Sequence, residues 1–252
     1  MGYNSSICVK GKIWDLHIHT NEDAVRNNKK ISKLKPKEYV KELLDVLNEY
    51  EDLEMISFTD HNNISKEIYD AFFNSKSHIT LLPGVEIDVA LEDGGTAKHL
   101  IVYFDAANDR EKFNDLAEKF NQLMTDFGVK DGRTNSPIPI DKLLSKLIDF
   151  NINFALSPHA MKQGKRSIDY DIHSLPDDQQ RNEVIKYSDQ LFCFWEASGK
   201  SEVAHAVDYL KQIDSANRIS IISFSDSKTL DDLKNIWTIQ LSILMRYLIL
   251  MA

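Results

Sequence analysis

The chain has only two cysteines in 252 residues, Cys8 and Cys193, far apart and outside any CxxC pair. At most one disulfide is available, so a disulfide scaffold and a thiolate zinc site are both disfavoured, and a reducing compartment is expected. Nine glycines and six prolines exclude a collagen-like chain, and 42% hydrophobic residues exclude disorder. Basic residues are also short: 30 Lys and Arg stand against 39 Asp and Glu, a formal charge of −9. No global positive field exists to hold nucleic acid, so any phosphate-bearing substrate needs a local site. The one long apolar run, Ile239 to Ala252, is shorter than the roughly 20 residues that span a bilayer and carries Arg246. Met1 to Gly11 has no apolar signal core. These features set the expectation of a cytoplasmic protein with no membrane association.

What is present is an alternation of short apolar runs with amphipathic stretches, the pattern of repeated β-α units. Strands are expected at Ile13 to Ile18, Leu53 to Thr59, Ile79 to Val89, His99 to Phe104, Asn153 to Ser157, Leu191 to Trp195, Arg218 to Phe224 and Ile236 to Gln240. Helices are expected at Pro36 to Tyr50, Ile64 to Phe73 with Asn62 or Asn63 as cap, Asp109 to Phe127 and Ile140 to Phe150, then near Asp177 to Tyr187, Glu202 to Ile213 and Leu230 to Leu233. The strands at 79–89 and 99–104 read as a hairpin-like pair, and Gly128 to Pro137 as a loop. No repeat or linker divides the chain. A single α/β domain over 1–252 is expected, with its core at 13–240. A closed β/α barrel fits better than an open sheet, though periodicity alone leaves both open.

The sharpest local feature is Asp15-Leu16-His17-Ile18-His19-Thr20. Alternation puts Asp15, His17 and His19 on one face of a strand, with the imidazoles about 7 Å apart along it. Such a pair can bind one metal ion, with Asp15 as an acceptor that orients a ring; alone it is equally a strand with two exposed histidines. Polar residues then recur where strands end: Asp60 and His61, Glu86 within an apolar strand, His99, His159 and Asp226. β/α barrels place their active sites at those ends.

The motifs DLHIHT, FTDHN, LPGVEIDV, KHLIVYF, SPHA and SFSDS stand in the order seen in the PHP (polymerase and histidinol phosphatase) superfamily, which the chain resembles from about Ile13 to Gln240. Within it the chain looks most like PHP domains at the N-terminus of ATPase-bearing bacterial proteins, some linked to phage defence. The resemblance implies a distorted seven-stranded (β/α) barrel and a metal-dependent phosphoesterase. Its substrate would be a small phosphomonoester, or a nucleotide or nucleic-acid end, attacked by a metal-activated hydroxide. It assigns His17, His19, Glu86 and Asp226 to one divalent ion and Glu86, His99 and His159 to a second. Zn, Mn and Fe all suit these donors. A third ion in the family uses His61, a histidine shortly after HxH, and one two positions after the last Asp. Here Thr20-Asn21-Glu22-Asp23 and Lys228 occupy those places, so two ions are expected, with Glu22 or Asp23 as a substitute oxygen ligand if a third binds.

Lys228 would then neutralise phosphate charge, His61 would protonate the leaving oxygen, and Asp60 and Asp15 would hold imidazole tautomers, with Glu196 as a further acidic strand end. The cluster Lys162, Lys165 and Arg166 is a candidate phosphate-binding loop, or an ordinary solvated one. Two other readings stand beside the phosphoesterase: a nuclease component working with an ATPase partner, and a degenerate metal-binding interaction module without turnover. The apolar segment 241–252 is a candidate surface for a homo-oligomer.

Overall fold

The computed structural model describes residues 13–23, 34–91, 95–107, 109–130, 132–134, 136–159, 166–168, 194–196, 220–222 and 224–233, and the single positions 182, 205 and 208. Lys162 and Lys165, most of the expected helices at 177–187 and 202–213, the expected strand at 236–240 and the apolar segment 241–252 lie outside these residues.

The described elements run β1 (Ile13–Ile18), α1 (Pro36–Leu47), β2 (Leu53–Phe58), α2 (Lys66–Asn74), β3 (Thr80–Ala90), β4 (Lys98–Phe104), α3 (Arg110–Asp126), β5 (Ile138–Pro139), α4 (Ile140–Ile148), β6 (Phe154–Pro158), β7 (Phe194–Glu196) and β8 (Ser220–Ile222). Helix starts follow local chemistry. Pro36 opens α1, where its fixed φ suits the first turn, and Glu38 accepts a hydrogen bond from the Lys35 N–H. Asp109 caps α3 by accepting from the backbone of Lys112. The α2 cap is Ser65 rather than an asparagine. Asn62 is instead buried at φ 53°, its side chain bonded to the Gly132 carbonyl and the Asp88 N–H, so it ties a loop to β3.

Strands β1, β2 and β3 pair in parallel, but β4 is antiparallel to both β3 and β6, and β5 adds a short parallel contact to β3. The result is a mixed six-stranded sheet in the order β1-β2-β3-β4-β6, with β7 and β8 as a separate parallel pair. Among the described residues, therefore, the ladders do not close into the expected seven-stranded barrel. A hairpin-like β3–β4 connection reverses the chain, and single bridges replace ladders at both margins of the β7–β8 pair: His159 with Glu196, and Ile18 with Ser227.

Period-2 alternation sorts the sheet into two faces. Val85, Ile87 and Val89 of β3, Leu100, Val102 and Phe104 of β4, and Leu156 of β6 join the main core with Leu43, Phe72, Phe113, Phe120 and Leu143 from the helices. Burying each aliphatic side chain contributes about 1.5–3 kcal/mol. The opposite face presents a small apolar cluster, Leu16, Ile101 and Tyr103, packed by Met55, Leu82, Ala155 and Phe224. Gly84 leaves room on this face: a Cβ there would lie 2.3 Å from Ser57 Oγ and 3.1 Å from Thr59 Cγ2, so any side chain would make these neighbours shift. Among the described residues no helix is long and apolar enough to cross a membrane.

Candidate metal centre

The second face gathers every histidine that the strand-end motifs single out. His17 and His19 come from β1 and the turn beyond it, His61 follows β2, Glu86 lies in β3, His99 in β4, His159 just after β6 and Asp226 beyond β8. All the imidazoles and Glu86 are buried, Glu86 completely.

Glu86 is the hub. Its Oε2 lies 3.1 Å from His19 Nε2, 3.2 Å from His61 Nε2 and 3.7 Å from His17 Nε2. Its Oε1 faces His99 Nδ1 and lies 3.5 Å from His159 Nε2. Asp226 Oδ1 adds an oxygen 3.5 Å from Nε2 of both His17 and His19. Asp226 holds a left-handed backbone conformation, φ 46°, a strain of the kind that clusters at functional sites.

The far side of each ring explains the orientation. His17 Nδ1 donates to Glu196, 2.9 Å from both its oxygens, and His19 Nδ1 donates to Asp23 at 2.6 Å. With the proton committed to Nδ1, Nε2 of each ring carries a lone pair. Those two nitrogens lie 3.1 Å apart and converge with oxygens of Glu86 and Asp226. Neither oxygen of Glu86 makes a hydrogen bond of good geometry. Lone pairs facing one another in a buried space repel unless positive charge sits among them.

The same deficit appears in the proton affinities. Burial alone would raise the Glu86 pKa, but the charges of His99 and His159 outweigh it and hold the carboxyl well below its usual range. Burial would lower the His17 pKa, yet Glu196 and Asp226 lift it to about 9. Protons thus play the part a cation would take.

The separations fit that cation. Ligands about 2.0–2.2 Å from an ion in tetrahedral array lie about 3.3–3.6 Å from one another, and the 3.1–3.7 Å spacings around His17, His19, Glu86 and Asp226 bracket that range. Among the described residues four sets of donors could hold a metal: His17 with His19 and Asp226, His17 with Glu86 and His159, His61 with Glu86 and His99, and His19 with Asp23 and His61. The first falls within the set expected for one ion, while the set expected for the other, Glu86 with His99 and His159, is divided between the second and third.

Several expected roles are relocated. Asp60 accepts from the backbone N–H and the hydroxyl of Thr20, both at 2.6 Å, so it fixes the turn after HxH instead of a ring. Burial, reinforced by the charge of Asp23, raises the Asp60 pKa to about 7. Asp15 likewise serves the backbone, accepting from the N–H groups of Ser225 and His17. The ring-orienting carboxylates are Glu196 and Asp23. Asp88, which lies in the LPGVEIDV motif but is given no role by it, is 3.3 Å from His99 Nε2. His61 turns both ring nitrogens to acidic oxygens, Nδ1 to Asp23 at 2.8 Å and Nε2 to Glu86 at 3.2 Å. Lys228 sits at the rim, half-exposed, with Nζ 4.0 Å from Asp226. Arg166, also exposed, brings Nη1 to 2.7 Å from His99 Nε2, while its carbonyl accepts from the His99 N–H.

No family model and no curated protein matches the chain. Solved structures do. A protein from Bifidobacterium adolescentis, named provisionally as a metal-dependent phosphoesterase, aligns over 86% of this chain and 87% of its own, with 12% identity and a TM-score of 0.44. An amidohydrolase from Chromobacterium violaceum, with bound sulfate and no metal, aligns over the same shares with 13% identity and a TM-score of 0.48. At those values the functional argument rests on the residues of this chain.

Proposed function

We propose that the chain is a metal-dependent hydrolase acting on phosphate esters through a two-ion centre. The carrying observation is that one buried carboxylate, Glu86, presents each of its oxygens to a different set of imidazole nitrogens. His17, His19, Asp226 and Glu86 would hold one divalent ion; Glu86, His99 and His159 the other. Ions bound there supply Lewis-acid polarisation of a phosphoryl oxygen and activation of the nucleophile at neutral pH.

The chain's own residues supply the rest. Glu196 holds the Nδ1 proton of His17, and Asp23 that of His19. The Lys228 ammonium and the Arg166 guanidinium lie at the rim as the cations that would meet the non-bridging oxygens of a phosphate, the guanidinium in bidentate fashion. A net charge of −9 favours a small phosphorylated molecule or a nucleotide over a long nucleic acid.

The test is reconstitution with Mn or Zn, elemental analysis, and assay on phosphomonoesters, nucleotides and oligonucleotide ends. About two ions per chain and hydrolysis abolished by His17→Ala are expected. Full ion occupancy with no turnover of any of these substrates would remove the phosphoesterase reading and leave a metal-binding module.

A further inference from the structure

Asp23 is buried beside two of the candidate ligands, and its carboxylate lies close enough to both to be read as a metal ligand itself. The bonding capacity of the His19 ring separates the two roles. Asp23 Oδ2 is 2.6 Å from His19 Nδ1 and 2.8 Å from His61 Nδ1. These are charge-assisted hydrogen-bond lengths. Both contacts are also made by Nδ1, while Nε2 of each ring points to the same Glu86 oxygen, at 3.1 and 3.2 Å. A cation on the Asp23 side would have to take the Nδ1 lone pair of His19 as well as leave its Nε2 to the first ion, which a neutral imidazole with one N–H cannot supply.

We infer that Asp23 is a positioning residue and not a ligand: one oxygen accepts the Nδ1 protons of His19 and His61 together and thereby turns the Nε2 atoms of both rings towards Glu86. The two rings lie as a stacked pair, centroids 4.8 Å apart and planes 25° from parallel, with both Nδ1 atoms at the same Asp23 oxygen. The consequence is a binuclear centre in which a hydrogen-bonded carboxylate stands where an additional ion would otherwise draw His61 away. This rests on the two-ion reading above, and its test separates the two.

Wild type, Asp23→Ala and Asp23→Asn are compared by elemental analysis, by calorimetric titration with Mn or Zn, and by ¹⁵N spectra of the imidazoles in metal-free protein. Asp23→Ala is expected to bind as many ions as wild type, about 10–100-fold more weakly. Asp23→Asn keeps an acceptor oxygen and is expected to fall between the two. In the metal-free wild type His19 and His61 should show protonated, hydrogen-bonded Nδ1 signals, and both signals should shift in Asp23→Ala. One ion fewer in the variants, the remaining affinity unchanged, would make Asp23 a ligand and overturn the inference. Unchanged count and affinity would overturn it in the other direction. If wild type takes up no metal the two-ion reading fails, while the Nδ1 signals still decide whether Asp23 orients both rings. Should Asp23→Ala not fold, the same comparison is carried by Asp23→Asn.

Discussion

Strands β3, β4 and β6 carry two faces built from residues one position apart. One face sets Val85, Ile87, Val89, Leu100, Val102 and Leu156 against the helices. The other carries Glu86, His99, Ser157 and, just beyond the strand, His159, all buried, with a partly buried Asp88 on the same face. Folding alone explains the first, because each apolar side chain removed from water adds to stability. It does not explain the second, where burying carboxylates and imidazoles is costly unless they are paired. A fold that keeps such a face does so for chemistry, and the two faces should fail separately when mutated.

The largest effect is expected at the hub. Glu86→Gln replaces an oxygen by an amide donor that cannot accept, leaving one set of lone pairs without its shared carboxylate. Ion content should fall below two per chain and hydrolysis by at least about 100-fold, since even residues behind metal ligands are worth 10–100-fold. Circular dichroism should still report a folded chain. On the other face, one residue away, Ile87→Ala should cost about 2–5 kcal/mol, from lost burial and the cavity left behind. Chemical denaturation should show that loss while ion stoichiometry in the folded protein stays that of wild type. If Ile87→Ala lowered the ion count, or Glu86→Gln only the stability, the division between the faces would be wrong.

Much of this was legible in the sequence, for a definable reason. Period-2 alternation places Glu86 opposite Val85 and Ile87 whatever the tertiary fold, and together with the helical stripes it makes β1 to β4 and α1 to α4 legible. His17, His19, His61, His99, His159 and Asp226 stand out as polar residues in or beside apolar runs, and it is the resemblance in motif order that groups them with Glu86. What local pattern does not carry is which neighbour a side chain finds. Asp60 and Asp15 are adjacent to or near histidines in sequence, yet their oxygens meet Thr20 and Ser225. Glu196 orients His17 from 179 residues away. Strand direction is similarly non-local: the antiparallel β4–β6 pairing depends on how the chain returns after α4. The asparagine expected to cap α2 is drawn instead into the loop contact with Gly132, a choice made by burial.

Glu196 offers the next cut through the comparison. Glu196→Gln keeps size and still accepts at one oxygen, but the charge that favours the His17 Nδ1 proton is gone. Metal affinity should fall about 10–100-fold with the ion count unchanged at saturating metal. Calorimetric titration checks this. A loss of one ion per chain would mean that Glu196, whose Oε2 lies 3.5 Å from His159 Nε2, is itself a ligand.

The smallest expected effect distinguishes polar residues that serve the metal from those that serve the backbone. Burial raises the Asp15 pKa to about 6, against hydrogen bonds from Ser225 and the charge of His17 that lower it. A carboxyl with its folded pKa raised above the unfolded value binds its proton more tightly when folded. Its contribution therefore favours the native state below about pH 4 and is lost as pH rises through about 6. Asp15→Asn removes that titration while keeping an oxygen that can accept from Ser225 and His17. In metal-free protein the variant should gain stability relative to wild type between pH 4 and pH 6, seen as a shift in the difference between their melting temperatures across that window. Its metal affinity should stay within a few-fold of wild type, because Asp15 meets no imidazole nitrogen. A parallel pair of melting curves at all pH values would mean that Asp15 is ionised in the native protein throughout the window, and a large loss of metal affinity would move it from the backbone group to the ring-orienting one.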